Sequence, residues 1–243
     1  MSKKVTIQPE DALLIVDVQN DFCPGGALPL DEGDEVVPVI NQWIKRARKC
    51  GISVVASRDW HPGEHISFKD QGGLWPAHCV QDTEGARFHS KLQLPEDAII
   101  VTKGVRFDQD QYSAFDQTGL GGFLKKMGIK RLLVTGLALD ICVRASVLDA
   151  RRADFEVVLI TDATRAEDAG KIPETIEEMQ LAGAEVINVE KLLYDDTHRG
   201  AAESAESAEN DAAVCLKAPE FAEHYRLLDH DHPCADGRNG DPY

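Results

Sequence analysis

The chain alternates short apolar runs with stretches of helical periodicity. The apolar runs are ALLIVDV (12–18), ISVVAS (52–57), AIIVTKG (98–104), RLLVTG (131–136), FEVVLITD (155–162) and AEVINV (184–189). They are rich in Val and Ile and show little apolar–polar alternation. Both faces of such strands must be covered, which points to a parallel sheet. Between them, helices are predicted over 33–50, 118–128, 140–153 and 172–183. Strands and helices joined by right-handed crossovers predict an α/β fold, a three-layer α/β/α sandwich around a parallel sheet of about six strands. The pattern does not give the strand order.

Two stretches break the rhythm. Residues 58–97 carry Gly, Pro, His and Trp without clear periodicity. A segment of that length inside a compact domain is usually functional or disordered, and its aromatic and His content argues for function. Beyond about residue 190 the composition shifts to the low-complexity RGAAESAESAENDAA. The chain therefore reads as one folded domain over 1–190 and an acidic C-terminal extension over 191–243, expected to be a solvated helix or a mobile tail. Within the extension, APEFAEHYRLL (218–228) is short and amphipathic enough to dock on the domain or on a neighbouring subunit, which leaves a homo-oligomer open. The HDHP cluster at 230–233 reads as solvated.

The 243 residues suffice for one domain with a sizeable core, and hydrophobic residues make up 43% of them, as in a globular protein. No run reaches the length of a membrane span, and the first residues lack the apolar stretch of a signal peptide, so a soluble, cytoplasmic protein is expected. The net charge of −16 makes nucleic acid and anionic lipid unfavourable partners. The ten acidic and three basic side chains after residue 199 supply −7 of that charge. Six cysteines lie scattered with no CxxC spacing, so none marks a zinc ribbon.

In an open α/β sheet, ligands bind beyond the carboxyl ends of the strands. Four of the apolar runs end in chemically capable residues. The first ends at Asp17, the second runs into Asp59-Trp-His61, the third ends at Lys103, and the fourth leads through Gly136 to Asp140 and Cys142. With Asp140 as a plausible N-cap, Cys142 falls in the first helical turn, where the helix dipole and Lys103 would favour a thiolate. Asp17 reads either as a salt-bridge partner of Lys103 or as a general base for the thiol. Asp59, His61 and His78 form a carboxylate–imidazole set suited to Zn, Fe or Mn, with His65 undecided. Cys79 reads as core.

These residues carry a resemblance. DALLIVDVQNDFCPGGAL, SRDWHPGEHISF, WPAHCVQDTEGARFH, VTKG and VTGLALDICVRASVLDA resemble, in order, the motifs of nicotinamidases (pyrazinamidases) of the isochorismatase-like cysteine hydrolase superfamily. The resemblance spans about residues 10 to 190 and implies a catalytic set of Asp17, Lys103 and Cys142. It implies one divalent metal ion on Asp59, His61 and His78, zinc first and Fe or Mn as alternatives. Phe22, Trp75 and Tyr112 would line a pyridine pocket, and the N–H groups of Ala138 and Cys142 would form an oxyanion hole next to a cis peptide at Leu137–Ala138. The activity implied is hydrolysis of nicotinamide to nicotinate and ammonia through a cysteine thioester, in NAD salvage. A sister amidase acting on carbamoyl or ureido substrates, an isochorismatase, or a non-catalytic metal- or ligand-binding relative are the alternatives.

Overall fold

A computed structural model describes residues 5–188. The extension at 191–243 lies outside the described residues, and so does every expectation attached to it, including the 218–228 segment and the HDHP cluster. The elements follow the predicted alternation. In chain order they are β1 (Asp11–Val16), α1 (Val36–Cys50), β2 (Ser53–Asp59), β3 (Ile99–Lys103), α2 (Leu120–Lys126), β4 (Arg131–Leu137), α3 (Arg144–Arg152), β5 (Glu156–Arg165), α4 (Ile172–Leu181) and β6 (Glu185–Ile187).

All strand pairs are parallel, and the order across the sheet is β3-β2-β1-β4-β5-β6. The chain winds outward from β1 in one direction, then returns beside β1 with β4 and winds the other way. The order therefore reverses between β1 and β4, and a crevice opens at such a switch point beyond the strand ends.

The near-continuous apolar strands are explained by their two covered faces. In β1, Leu13 and Ile15 pack with the α1 residues Ile40, Trp43 and Ile44. Ala12, Leu14 and Val16 face the other way, onto Leu120 and Leu124 of α2, Val147 and Ala150 of α3 and Met179 of α4. One helix and the long 58–97 segment thus cover one face, and three helices cover the other. At its start, the buried Asp11 carboxylate takes both Nε (2.8 Å) and Nη2 (2.6 Å) of Arg131, which sets the β1–β4 register at the end away from the crevice. Charge-assisted pairs of this two-pronged kind are the geometrically specific ones.

At the crevice end the register depends on a glycine. Gly136 has φ +113, and a Cβ there would fall onto the Val16 backbone. The β4–β5 register also shifts between Val134 and Gly136. Only a residue without a side chain allows β4 to pass this close to β1 before turning towards Cys142.

The 58–97 segment is ordered by side chains rather than by long ladders. Gln19 spans it, donating from Nε2 to the Asp59 (2.8 Å) and Ala86 (2.7 Å) carbonyls and accepting the Asp59 N–H at Oε1 (2.8 Å). Asp21 accepts the N–H of Cys79 (2.7 Å) and of Ala27 (3.0 Å). A buried loop must find partners for its backbone groups, and these two side chains supply several of them. Among the described residues no helix is long and apolar enough to cross a membrane.

Candidate active site

The ends of β1, β2, β3 and β4 meet at the switch point, and Lys103 is the centre of what they bring. Its side chain is 0% exposed. Nζ lies 2.8 Å from Asp17 Oδ2, 2.6 Å from Asp59 Oδ1, 3.4 Å from Cys142 Sγ and 3.4 Å from the Gln111 carbonyl. Burial alone would neutralise such an amine, but the two carboxylates hold its pKa well above the usual lysine value, so it stays charged. Asp17, Asp59 and Cys142 have the mutual spacing of a metal-ligand set. The ammonium already occupies that space as the cation.

Asp17 leaves β1 with φ +48, a conformation uncommon for a residue with a side chain. Ser57 of β2 donates its hydroxyl to Asp17 Oδ1 at 2.7 Å, so the carboxylate is held from two sides. Burial, together with the neighbouring Asp59, raises the Asp17 pKa against the opposing pull of Lys103, which makes it a stronger base than an exposed aspartate.

Cys142 sits in a single π-turn, Leu139–Val143, that precedes α3, with the Val143 N–H bonded to the Ala138 carbonyl at 3.0 Å. Such bulges are frequent at functional positions. The Leu137–Ala138 peptide before it is cis, in agreement with the resemblance. Two sequence expectations are corrected here. Asp140 is not the N-cap; Ala138 holds that position, and the Asp140 carboxylate instead accepts the N–H groups of Glu167 (2.8 Å) and Asp168 (3.1 Å). The thiol is also not a resting thiolate. Burial pushes Cys142 well above the usual thiol value despite Lys103, so a base has to remove its proton at the moment of attack.

Asp59, His61 and His78 are buried and present ligand atoms within 4.8 Å of one another. His61 Nδ1 contacts the Gly104 carbonyl (2.9 Å) and His78 Nδ1 the Pro76 carbonyl (2.8 Å). A carbonyl can only accept, so each Nδ1 carries the proton and each Nε2 offers a lone pair, the arrangement found in metal-ligating histidines. Burial works against charge on Asp59, but Lys103 and His61 hold its carboxyl below the ordinary range. Two imidazoles with available Nε2 atoms and an ionised carboxylate fit a divalent metal. His65 differs. Its Nδ1 lies 2.7 Å from Ser67 Oγ and 3.3 Å from the Ser67 N–H, its Nε2 is buried with no hydrogen-bond partner, and with His61 and Asp110 it forms a second group of ligand-type atoms within 4.8 Å of one another. Gly104, at φ +69, completes the group, since a Cβ there would strike the His61 ring.

A pocket opens over these groups, lined by Phe22, Trp75, Tyr112, Ala138, Cys142 and the metal-type set, with Leu28, Leu30 and Ile141 as its apolar wall. The Trp75 indole N–H donates to the Tyr112 hydroxyl at 3.0 Å, which fixes both rings. Burial is the main cause that raises the Tyr112 phenol to about 12, so it stays neutral. Every residue predicted for the site thus lies at this one sheet edge. Ser57, Gln19, Gln111 and Phe68 were missed. The signal for Gln19 was slight: it is one more polar residue in the Asp17–Asp21 stretch that follows the first apolar run. Phe68, whose ring lies 5.6 Å from His61 and 5.7 Å from His78, carries no polar atom to betray it.

A parallel sheet that reverses at β1/β4 and gathers a thiol, an ammonium and two carboxylates there defines a class of small α/β enzyme. The chain belongs to the isochorismatase domain family, which matches it over residues 11–191. Within that family it is similar to nicotinamidases and pyrazinamidases. It is 42% identical to the nicotinamidase of Escherichia coli (strain K12), covering 65% of this chain and 84% of that one. The zinc complex of the pyrazinamidase of Pyrococcus horikoshii superposes with a TM-score of 0.72 at 45% identity, covering 74% of this chain and 99% of that one. PnC1 from L. infantum in complex with nicotinate gives a TM-score of 0.72 at 38% identity, covering 76% and 96%.

Proposed function

We propose that this chain is an amide hydrolase that converts nicotinamide to nicotinate and ammonia, a cytoplasmic salvage step returning pyridine to the NAD pool. The observation that carries this reading is the buried Lys103 ammonium, 2.8 Å from the Asp17 carboxylate and 3.4 Å from the Cys142 sulfur. Nucleophile, base and compensating charge are then within one contact of each other. Similarity to nicotinamidases supports the substrate, as does a pocket whose aromatic walls suit one flat ring.

In this reading the ring enters between Phe22, Trp75 and Tyr112. Asp17 takes the Cys142 proton as Sγ bonds to the amide carbon, and the N–H groups of Ala138 and Cys142 hold the developing oxyanion. As the C–N bond breaks, Asp17 returns the proton to the departing ammonia and a thioester remains. Asp17 then takes a proton from water, whose oxygen attacks the thioester carbon. The carboxylate product forms as the C–S bond breaks, and the thiol regains its proton. Lys103 keeps the alternating negative charge on Asp17 and on sulfur tolerable in a buried place. Asp59, His61 and His78 would hold one divalent ion, zinc in this reading, which supplies a Lewis-acidic point for the ring nitrogen.

Ammonia release from nicotinamide by the full chain, with and without a chelator, is the test. Cys142→Ala is expected to abolish release while metal content and thermal stability are retained. Turnover near the parent rate in that variant removes Cys142 from the nucleophile role.

A further inference from the structure

The pocket carries two carboxylates that no step above uses. Glu167 and Asp110 both line it, Glu167 exposed and Asp110 half-buried, and among the described residues no Lys or Arg lines it with them. The cations nearest in sequence are engaged elsewhere. Lys171 lies 3.5 Å from Asp168, Arg165 lies 3.2 Å from Glu35, and Arg106 lies 2.7 Å from Asp108. Glu167 is not on a loose loop, because Asp140 clamps its backbone N–H and that of Asp168 from the π-turn that bears Cys142. The clamp therefore fixes the main chain that carries this acidic residue to the turn bearing the reacting thiol.

We infer that Glu167 is a charge filter that admits a neutral carboxamide and expels the carboxylate made from it. The inference rests on the amidase reading and extends it. Hydrolysis turns a neutral amide into an anion, so a fixed negative rim leaves substrate entry untouched and weakens product binding. The same rim disfavours substrates that already carry a carboxylate. Because Glu167 is water-exposed, its field is screened, and one unit of charge there is worth about threefold in anion affinity. Rim charges of this kind show themselves in discrimination and salt dependence more than in raw affinity.

The test compares the dissociation constants of nicotinate and nicotinamide by calorimetry, using the full, metal-loaded chain carrying Cys142→Ala to prevent turnover. The ratio of nicotinate to nicotinamide constants is expected to fall about threefold with Glu167→Gln and about tenfold with Glu167→Lys at low salt, and the differences should shrink at high ionic strength. A ratio unmoved by Glu167→Lys overturns the filter. Both constants shifting together also overturns it, because that is the signature of a merely structural loop residue. Absence of ammonia release by the parent chain would instead overturn the amidase reading, with the filter still judged by the ratio. Failure to bind either ligand overturns both.

Discussion

Replacing Lys103 with Met removes the charge and keeps most of the volume. In the parent, one ammonium serves two carboxylates that are themselves buried, at 2.8 Å and 2.6 Å. Breaking a buried ion pair by deleting one partner costs about 3–5 kcal/mol, because the remaining charge is left uncompensated. For a domain of this size that corresponds to a fall in melting temperature of about 10 °C. The loss should depend on pH. Without the ammonium, burial and Asp59 raise the Asp17 carboxyl without opposition. A carboxyl with a folded pKa above its unfolded value contributes stability that is full below the unfolded value and is lost as pH rises through the folded one. In the parent, Asp59 has the opposite sign: its depressed carboxyl stabilises above the unfolded value and loses that contribution as pH falls. The two curves should therefore converge in acid and separate towards neutral pH. Thermal melts of both proteins between about pH 4.5 and pH 8 read the gap directly, and adding Asp17→Asn should restore part of the neutral-pH loss through the coupling of neighbours. A gap of under about 1 kcal/mol, or one that does not vary with pH, would refute the view of Lys103 as the charge that makes this buried cluster tolerable.

Alkylation of Cys142 by iodoacetamide should speed up continuously from about pH 7 to pH 9, because burial holds the thiol above its ordinary value of 9.0; a plateau below pH 8 would show a resting thiolate. Gly136→Ala should cost at least about 3 kcal/mol, read in a urea melt, since the added Cβ meets backbone at an unfavourable φ and cannot rotate away. Asp59→Asn should weaken metal retention at least about 100-fold in chelator competition and slow ammonia release with it. Metal retained at parent affinity would remove Asp59 from the ligand set.

The fold was legible because the central strands are buried on both faces, a demand written directly into Leu13, Ile15, Leu14 and Val16 of β1. The site was legible for a related reason: parallel strands all end on one side, so Asp17, Asp59, Lys103 and the residues after Gly136 had to share an edge. Strand order was not legible, because six similar apolar runs can be permuted without changing their local pattern. The Asp140 and Cys142 expectations failed on tertiary detail. A π-turn shifts the start of the helix, and the Glu167 and Asp168 N–H groups compete for the Asp140 carboxylate. Burial outweighs the charge of Lys103 in setting the thiol, and neither term can be weighed from spacing along a chain. What sets His65 apart from His61 and His78 is its Nδ1 partner, the Ser67 hydroxyl in place of a backbone carbonyl, which spacing along a chain does not reveal.

Asp59 links the two halves of the site. Its Oδ1 lies 2.6 Å from the Lys103 ammonium and its Oδ2 lies 3.7 Å from His61 Nε2. One carboxylate thus faces the cation that supports the thiol chemistry and also the imidazoles suited to a metal. A divalent ion held on the Oδ2 side would draw electron density from Asp59 and weaken its hold on Lys103. The ammonium would then be shared less with Asp59 and more with Asp17 and the sulfur, the two atoms that exchange a proton in the proposed reaction. An ion that orients the ring would in this way also adjust the nucleophile's surroundings without touching it. Asp59 is also the residue whose backbone Gln19 grips at both N–H and carbonyl. A carboxylate answering to two cations needs a fixed main chain, because a small displacement that improved one contact would lengthen the other.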